Sequence, residues 1–410
     1  MKTVFLLFGA GSIALAGAAT GCSAAAEAPA EVAVEPRDST DFERDVAFLR
    51  GYDPDLVVLS HGDVALAASA RYQGKVFTST TGRGESQGFI NYDAFAVDPP
   101  AAHINAYGGE QRLWVGPEGG TQAIFFAPGA DFTSEAWQTP AAIDHEPWVL
   151  RSTDARQVSF SKRATFQNRA GVGFETEIGR TVALLPDSAL AAAFGDTIAG
   201  LRGVGYVTIN ALTNVGAKPW APATGTISLW LLDILPAGDS VVAILPYRDA
   251  TPRTLDTTNA GYFGPTPADR LRVAEGAVLF RGDGEEVGKV GLPVAHATGR
   301  LGSIDLERGV LTVIQYDYDR RARYQGMEWR ELDDPYAGDA VTSYNNGAGP
   351  AKPSFYELES IAPAAFIAPG ESAFHQHTVF HFTGERAALL DAAEGLLGVD
   401  RLELVEFLAR

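Results

Sequence analysis

From Asp55 to Tyr316 short apolar runs alternate with polar positions, and Gly, Pro, Asn, Asp or Ser interrupts them roughly every ten residues. The pattern predicts strands at Asp55–Leu59, Val64–Ala68, Lys75–Ser79, Trp148–Arg151, Val158–Ser161, Ala164–Gln167, Phe174–Arg180, Gly205–Leu212, Thr226–Leu232, Ser240–Pro246, Arg272–Phe280, Val287–Gly291 and Val310–Tyr316. Two more follow within Phe355–Phe382, on either side of a Pro369-Gly370 turn. Helical periodicity is confined to short stretches. Asp41–Leu49 is expected to open a helix with Asp41 as cap, and Pro186-Asp187-Ser188 starts an Ala-rich one ending at Phe194. Near the end, Thr383 is expected to cap a helix carrying Leu389, Leu390, Leu396 and Leu397, and Asp400 with Glu403 to begin the last one. The rhythm is that of an all-β antiparallel sandwich. Without a linker between 41 and 384, one domain is the better reading than tandem sandwiches, with residues 385–410 as helices packed on it.

Alternation also sorts the polar groups. In FYELESI, Phe355, Glu357 and Glu359 fall on one face and Tyr356 and Leu358 on the other, so two carboxylates share a face. In the last strand His375, His377 and His381 share one face, opposite Phe374, Thr378, Phe380 and Phe382. The His375-x-His377 spacing permits a metal pair with Glu357 or Glu359 as a third ligand, a weak alternative to a plain polar face, since no further His or Cys stands at ligand spacing. No cofactor is implied.

Other polar groups concentrate in HINAYGGEQRLWVGPEGGTQ, residues 103–122. Glycine pairs turn the backbone at 108–109 and 119–120, and Glu110, Arg112 and Trp114 are expected on one strand face with Glu118 just beyond. A planar aromatic beside acids and a guanidinium suits a sugar, whose apolar C–H face packs on the ring while its hydroxyls hydrogen-bond the charged groups. The plain reading is that Trp114 is core and Glu110–Arg112 a structural ion pair. A second polar stretch, residues 329–347, reads as a long loop in which Asp339 is a ligand-contact candidate, against a solvated turn or a calcium loop. His103 and His145 are weak acid candidates for their nearness to the glycine pairs, or ordinary loop histidines.

The Leu358-Glu359 strand, the Pro-containing connection, Pro369-Gly370-Glu371 and the closing aromatic-x-aromatic strand resemble the C-terminal part of galactose mutarotase-like (aldose 1-epimerase-like) proteins. The resemblance implies a β-supersandwich and gives Glu359 the part of catalytic base. Such an epimerase needs a base for the O1 proton and an acid for the ring oxygen. The region answering to the family's histidine holds Asn214, Trp220, Ser228 and Trp230 instead, which favours binding over epimerisation and leaves Asn214 a ligand candidate. Tyr107–Gly120 and Pro335–Asp339 also resemble the motifs of a family of uncharacterised bacterial lipoproteins, over about residues 41 to 400.

The address is read at the start of the chain. Lys2 precedes an apolar run, Val4–Ala19, and Ala19-Thr20-Gly21-Cys22 follows as a lipobox, so residues 1–21 are expected to be a lipoprotein signal and Cys22 the acylated residue. An ordinary secretory signal is the alternative. Residues 22–40, rich in Ala, Glu and Pro, read as a disordered tether. Cys22 is the only cysteine, which excludes an internal disulfide. Ser23 resembles the second residue of outer-membrane lipoproteins, which puts the protein in the Gram-negative envelope, anchored by acyl chains. A net charge of -19 disfavours nucleic acid and anionic lipid as partners. The expected ligand is a carbohydrate.

Overall fold

The computed structural model describes residues 39–248, 260–264, 266–347 and 354–409. The expected signal (1–21), Cys22 and the tether through residue 38 lie outside them. Every ladder between named strands is antiparallel. A ten-stranded sheet runs in the order Leu271–Val273, Ala277–Arg281, Val241–Pro246, Arg300–Asp305, Val310–Tyr316, Ser372–Thr383, Arg202–Asn214, Gly173–Leu184, Gln157–Gln167, Val149–Thr153. A five-stranded sheet runs Gly288–Pro293, Asp339–Asn345, Phe355–Ile361, Ser228–Pro236, Arg112–Gly116. A small sheet of Val57–His61, Val64–Ser69 and Lys75–Thr80 completes the β structure.

The large sheet is covered on both faces along its middle strands, which explains why its apolar positions outnumber a simple alternation. Inward residues such as Tyr206, Leu212 and Val379 join Leu231, Leu358 and Ile361 of the five-stranded sheet in one core. Outward residues such as Val242, Ile304, Val313, Phe380 and Phe382 meet Leu389, Leu396 and Leu397 of the helix Arg386–Leu397 in a second. The histidine face of the last strand therefore points between the sheets and its aromatic face toward the helices.

Several boundaries differ from expectation for identifiable reasons. The first helix, Asp41–Tyr52, is capped by Thr40, whose side chain accepts from the Glu43 amide while Glu43 reaches back to Thr40, so the last two residues assigned to the tether belong to the fold. Thr383 ends a strand rather than capping a helix; Glu385 takes the N-cap position. Asp400 does cap Arg401–Leu408, but Glu403 turns outward to accept from the Glu275 amide. The run Arg272–Phe280 is two strands folded at Gly276, whose φ of 81° needs glycine, and the two short runs between 158 and 167 are one strand. Arg300–Asp305 and Asp339–Asn345 are further strands, the latter from what reads in sequence as loop. Among the described residues no helix is long and apolar enough to cross a membrane.

Candidate functional site

The strand Phe355–Ile361 lies at the centre of the five-stranded sheet and keeps the expected parity. Tyr356 and Ser360 point between the sheets, where the Tyr356 hydroxyl is 2.7 Å from Ser303 Oγ and Ser360 Oγ is 2.8 Å from both His375 Nε2 and His377 Nδ1. Glu357 and Glu359 therefore project from the other face. Register brings Glu359 beside Thr342 and Leu232, Glu357 beside Tyr344, Tyr344 beside Lys289, and Trp114 beside Trp230.

Two buried ion pairs form on this face. Lys289 Nζ donates to Glu359 Oε2 at 2.8 Å, and the same oxygen accepts from Trp230 Nε1 at 2.8 Å and Thr342 Oγ1 at 2.7 Å. Glu359 is fully buried, and its Oε1 has no hydrogen-bond partner among the described residues. Arg112 donates to Glu357 Oε1 at 2.9 Å and stacks 3.7 Å above Trp114. Lys289 also lies 4.9 Å from the Trp230 ring and 5.0 Å from that of Tyr262.

Loops roof the face and leave a cavity of about 410 Å³. Its floor is formed by Arg112, Trp114, Trp230, Leu232, Lys289 and Glu357, and its rim by Glu118, Trp137, Trp329, Tyr262 and Phe263. Gly119 makes the roof possible: a Cβ there would stand 1.8 Å from the Glu328 carbonyl oxygen, so only glycine lets the 117–120 turn press against the 327–330 turn that carries Trp329. The Glu118 carboxylate accepts from Trp137 Nε1 at 3.1 Å, and Trp137 stacks on Trp329 with centroids 5.9 Å apart.

Burial dominates the electrostatics. It pushes the Glu357 carboxyl up to about 7, against the pull of Arg112 and with the help of the Glu359 charge. Burial also raises Glu118, opposed by Lys289. For Lys289 burial works to lower the ammonium, but Glu359 and Glu118 outweigh it and its pKa is raised. A carboxyl that titrates near neutrality, next to tightly held charges and aromatic walls, can exchange a proton with a ligand hydroxyl or simply hydrogen-bond it.

The cavity thus gathers Arg112, Trp114, Glu118 and Glu357, with Glu359 beneath them, and leaves other sequence candidates elsewhere. Glu110 does not share the face of Arg112. It precedes the ladder, after Gly109 at φ 109°, and is buried with its Oε1 accepting from Ser79 Oγ and 3.0 Å from His381 Nε2. Arg112 consequently pairs with Glu357, not Glu110. Asn214 is buried at the end of the strand Arg202–Asn214, donating to the Lys218 and Ile367 carbonyls. Asp339 is buried at the start of its strand and does not line the cavity. His103, exposed, contacts the Trp137 carbonyl at 2.8 Å, and His145 lies 3.3 Å from Asp144; neither borders the cavity.

His375 and His377 are fully buried between the sheets, on the opposite side of the Phe355–Ile361 strand from Glu357 and Glu359, so those acids cannot complete a metal set with them. Burial and the neighbouring His377 lower His375 to about 3. Among the described residues no cluster of three or more His, Cys, Asp or Glu is placed to hold a metal. Sequence reasoning missed Lys289, Trp137 and Tyr262, whereas Tyr344, which lines the cavity, falls within the polar stretch 329–347. A lone lysine in the apolar run Val287–Gly291 was the one available signal, because a strand buries such a cation only with a partner.

No curated protein matches the chain. Similar solved structures include the Slr1438 protein from Synechocystis sp. PCC 6803, with 12% identity and a TM-score of 0.48, covering 80% of this chain and 96% of that one. A galactose mutarotase-like protein from Lactobacillus casei ATCC 334 has 12% identity and a TM-score of 0.45, covering 80% and 99%. A galactose mutarotase related enzyme from Lactobacillus acidophilus has 9% identity and a TM-score of 0.42, covering 81% and 98%. Likenesses this distant say nothing about what the cavity holds. The family model is firmer: it matches residues 40–408, and the chain belongs to the family of unknown function DUF6786.

Proposed function

We propose that the protein binds a saccharide in the cavity over its five-stranded sheet, and that it does so in the Gram-negative envelope, tethered to the outer membrane through acylated Cys22. One observation carries the binding reading. Broad aromatic faces and fixed charged hydrogen-bonding groups meet in one cavity of about 410 Å³, within the range of small-ligand sites. A pyranose presents an apolar C–H face to Trp or Tyr and hydroxyls to Arg112, Glu118 and Glu357. The Arg112–Glu357 ion pair and the hydrogen bond from Trp137 to Glu118 hold these groups in place before a ligand arrives, which lowers the ordering cost of binding. The envelope reading is supported by the lipobox and the small residues before Cys22.

A second reading, an aldose epimerase-like enzyme with Glu359 as base, is favoured by the unpartnered Glu359 Oε1. Since His103 and His145 stand away from the cavity, Glu357, which titrates near neutrality, would supply the acid. The binding reading ranks first because all three donors on Glu359 converge on one oxygen of a fully buried side chain.

The test is a thermal-shift screen against mono- and oligosaccharides, with Arg112→Ala and Glu359→Gln alongside. A sugar that stabilises the wild type and not Arg112→Ala supports the site by linkage. Polarimetry on that sugar then separates binder from epimerase, because only turnover changes the anomer ratio faster than water does. If no sugar shifts the folded protein, a structural envelope protein without a small-molecule site is the reading that survives. Labelling with a radioactive fatty acid, lost in Cys22→Ala, checks the anchor.

A further inference from the structure

Among the described residues three acidic side chains, Glu118, Glu357 and Glu359, meet two basic ones at the cavity, and both basic groups are engaged: Arg112 with Glu357 and Lys289 with Glu359, each at 2.8 to 2.9 Å. The aromatic faces nearest those cations are engaged too, since Arg112 covers Trp114 and Lys289 lies over Trp230 and Tyr262. Glu118 is different. It stands on the rim, accepts from the neutral indole of Trp137, and sits beside the stacked pair Trp137 and Trp329, over which none of the described residues places a side-chain cation.

A carboxylate held by indole N–H groups against aromatic surfaces is a receptor for a cation, because the ring faces and the carboxylate attract the same sign of charge. Resting on the saccharide reading above, we propose that the cavity selects a sugar bearing a protonated primary amine, and that Glu118 with Trp137 and Trp329 takes the amine. A uronate or sugar phosphate would instead bring an anion beside Glu118, with Arg112 and Lys289 already paired to Glu357 and Glu359. Burial raises the Glu118 carboxyl against the pull of Lys289, whose ammonium is hydrogen-bonded to Glu359 and not to Glu118. The net charge of -19 draws cations toward the protein from outside.

Calorimetric titration of the whole protein near neutral pH tests this, using glucosamine, galactosamine and mannosamine against their parent hexoses and N-acetyl derivatives. At least one amino sugar should bind about tenfold more tightly than both its neutral counterparts, the worth of one charge-assisted hydrogen bond. Glu118→Gln should remove the preference, bringing the amino sugar and its parent hexose to equal affinity when both are measured on the same variant. Raising the pH above the amine's own pKa should remove it in the wild type, a result that needs no variant to fold. Equal binding of an amino sugar and its hexose would overturn the amine assignment and leave the saccharide reading intact. A preference that survives in a folded Glu118→Gln protein would overturn the role of Glu118. Failure of every sugar to bind would overturn both readings.

Discussion

Replacing Glu357 by Gln removes one titration and little volume, and its consequence can be worked from the site. Glu357 is about 5% exposed, donates nothing when ionised, and accepts from Arg112 at 2.9 Å. Its folded pKa is raised from 4.5 to about 7, burial outweighing the guanidinium. An acid whose pKa is higher folded than unfolded binds its proton more tightly in the native state, so native stability falls as pH rises from the unfolded value through the folded one. A shift of about two and a half units corresponds to about 3 kcal/mol lost between pH ~4.5 and pH ~8. The Gln variant lacks that loss and keeps an acceptor for Arg112. Its stability relative to wild type should therefore climb by about 3 kcal/mol over this range, whatever the offset at pH ~4.5. Urea unfolding at a series of pH values, with unchanged m, measures the difference. A flat difference would mean that the Glu357 carboxyl titrates alike in both states. A variant that instead weakens relative to wild type as pH rises would mean that Arg112, not burial, sets the balance.

Lys289→Met should destabilise by about 3–5 kcal/mol, because the fully buried Glu359 loses its counter-charge while keeping only Thr342 and Trp230 as donors; denaturant midpoints read the loss, and a cost below 1 kcal/mol would mean that the pair is solvated. Gly119→Ala forces a methyl against the Glu328 carbonyl oxygen and should cost about 1–3 kcal/mol and abolish sugar-induced thermal shifts, since the turn carrying Trp329 must move. Thr40→Ala removes half of a capping box far from the cavity and should cost about 1 kcal/mol with ligand shifts unchanged.

What the chain determined by itself is what depends on neighbours in sequence. The all-β class and the shared face of Glu357 and Glu359 follow from alternation, because successive side chains of an extended backbone must point to opposite faces. Asp400 caps its helix for an equally local reason. The strand Asp339–Asn345 was illegible because its polar residues find partners only after folding: Thr342 donates to Glu359, Ser343 to the Glu357 carbonyl, and Asn345 to Asp283. Glu110 misled the face assignment because Gly109, at φ 109°, precedes it and the ladder begins only at Arg112. The cavity itself belongs to tertiary structure. Lys289 reaches Glu359 across 70 residues and Arg112 reaches Glu357 across 245, contacts set by strand order and register. Those are settled by burying the whole core at once, for which no local spacing carries a signal.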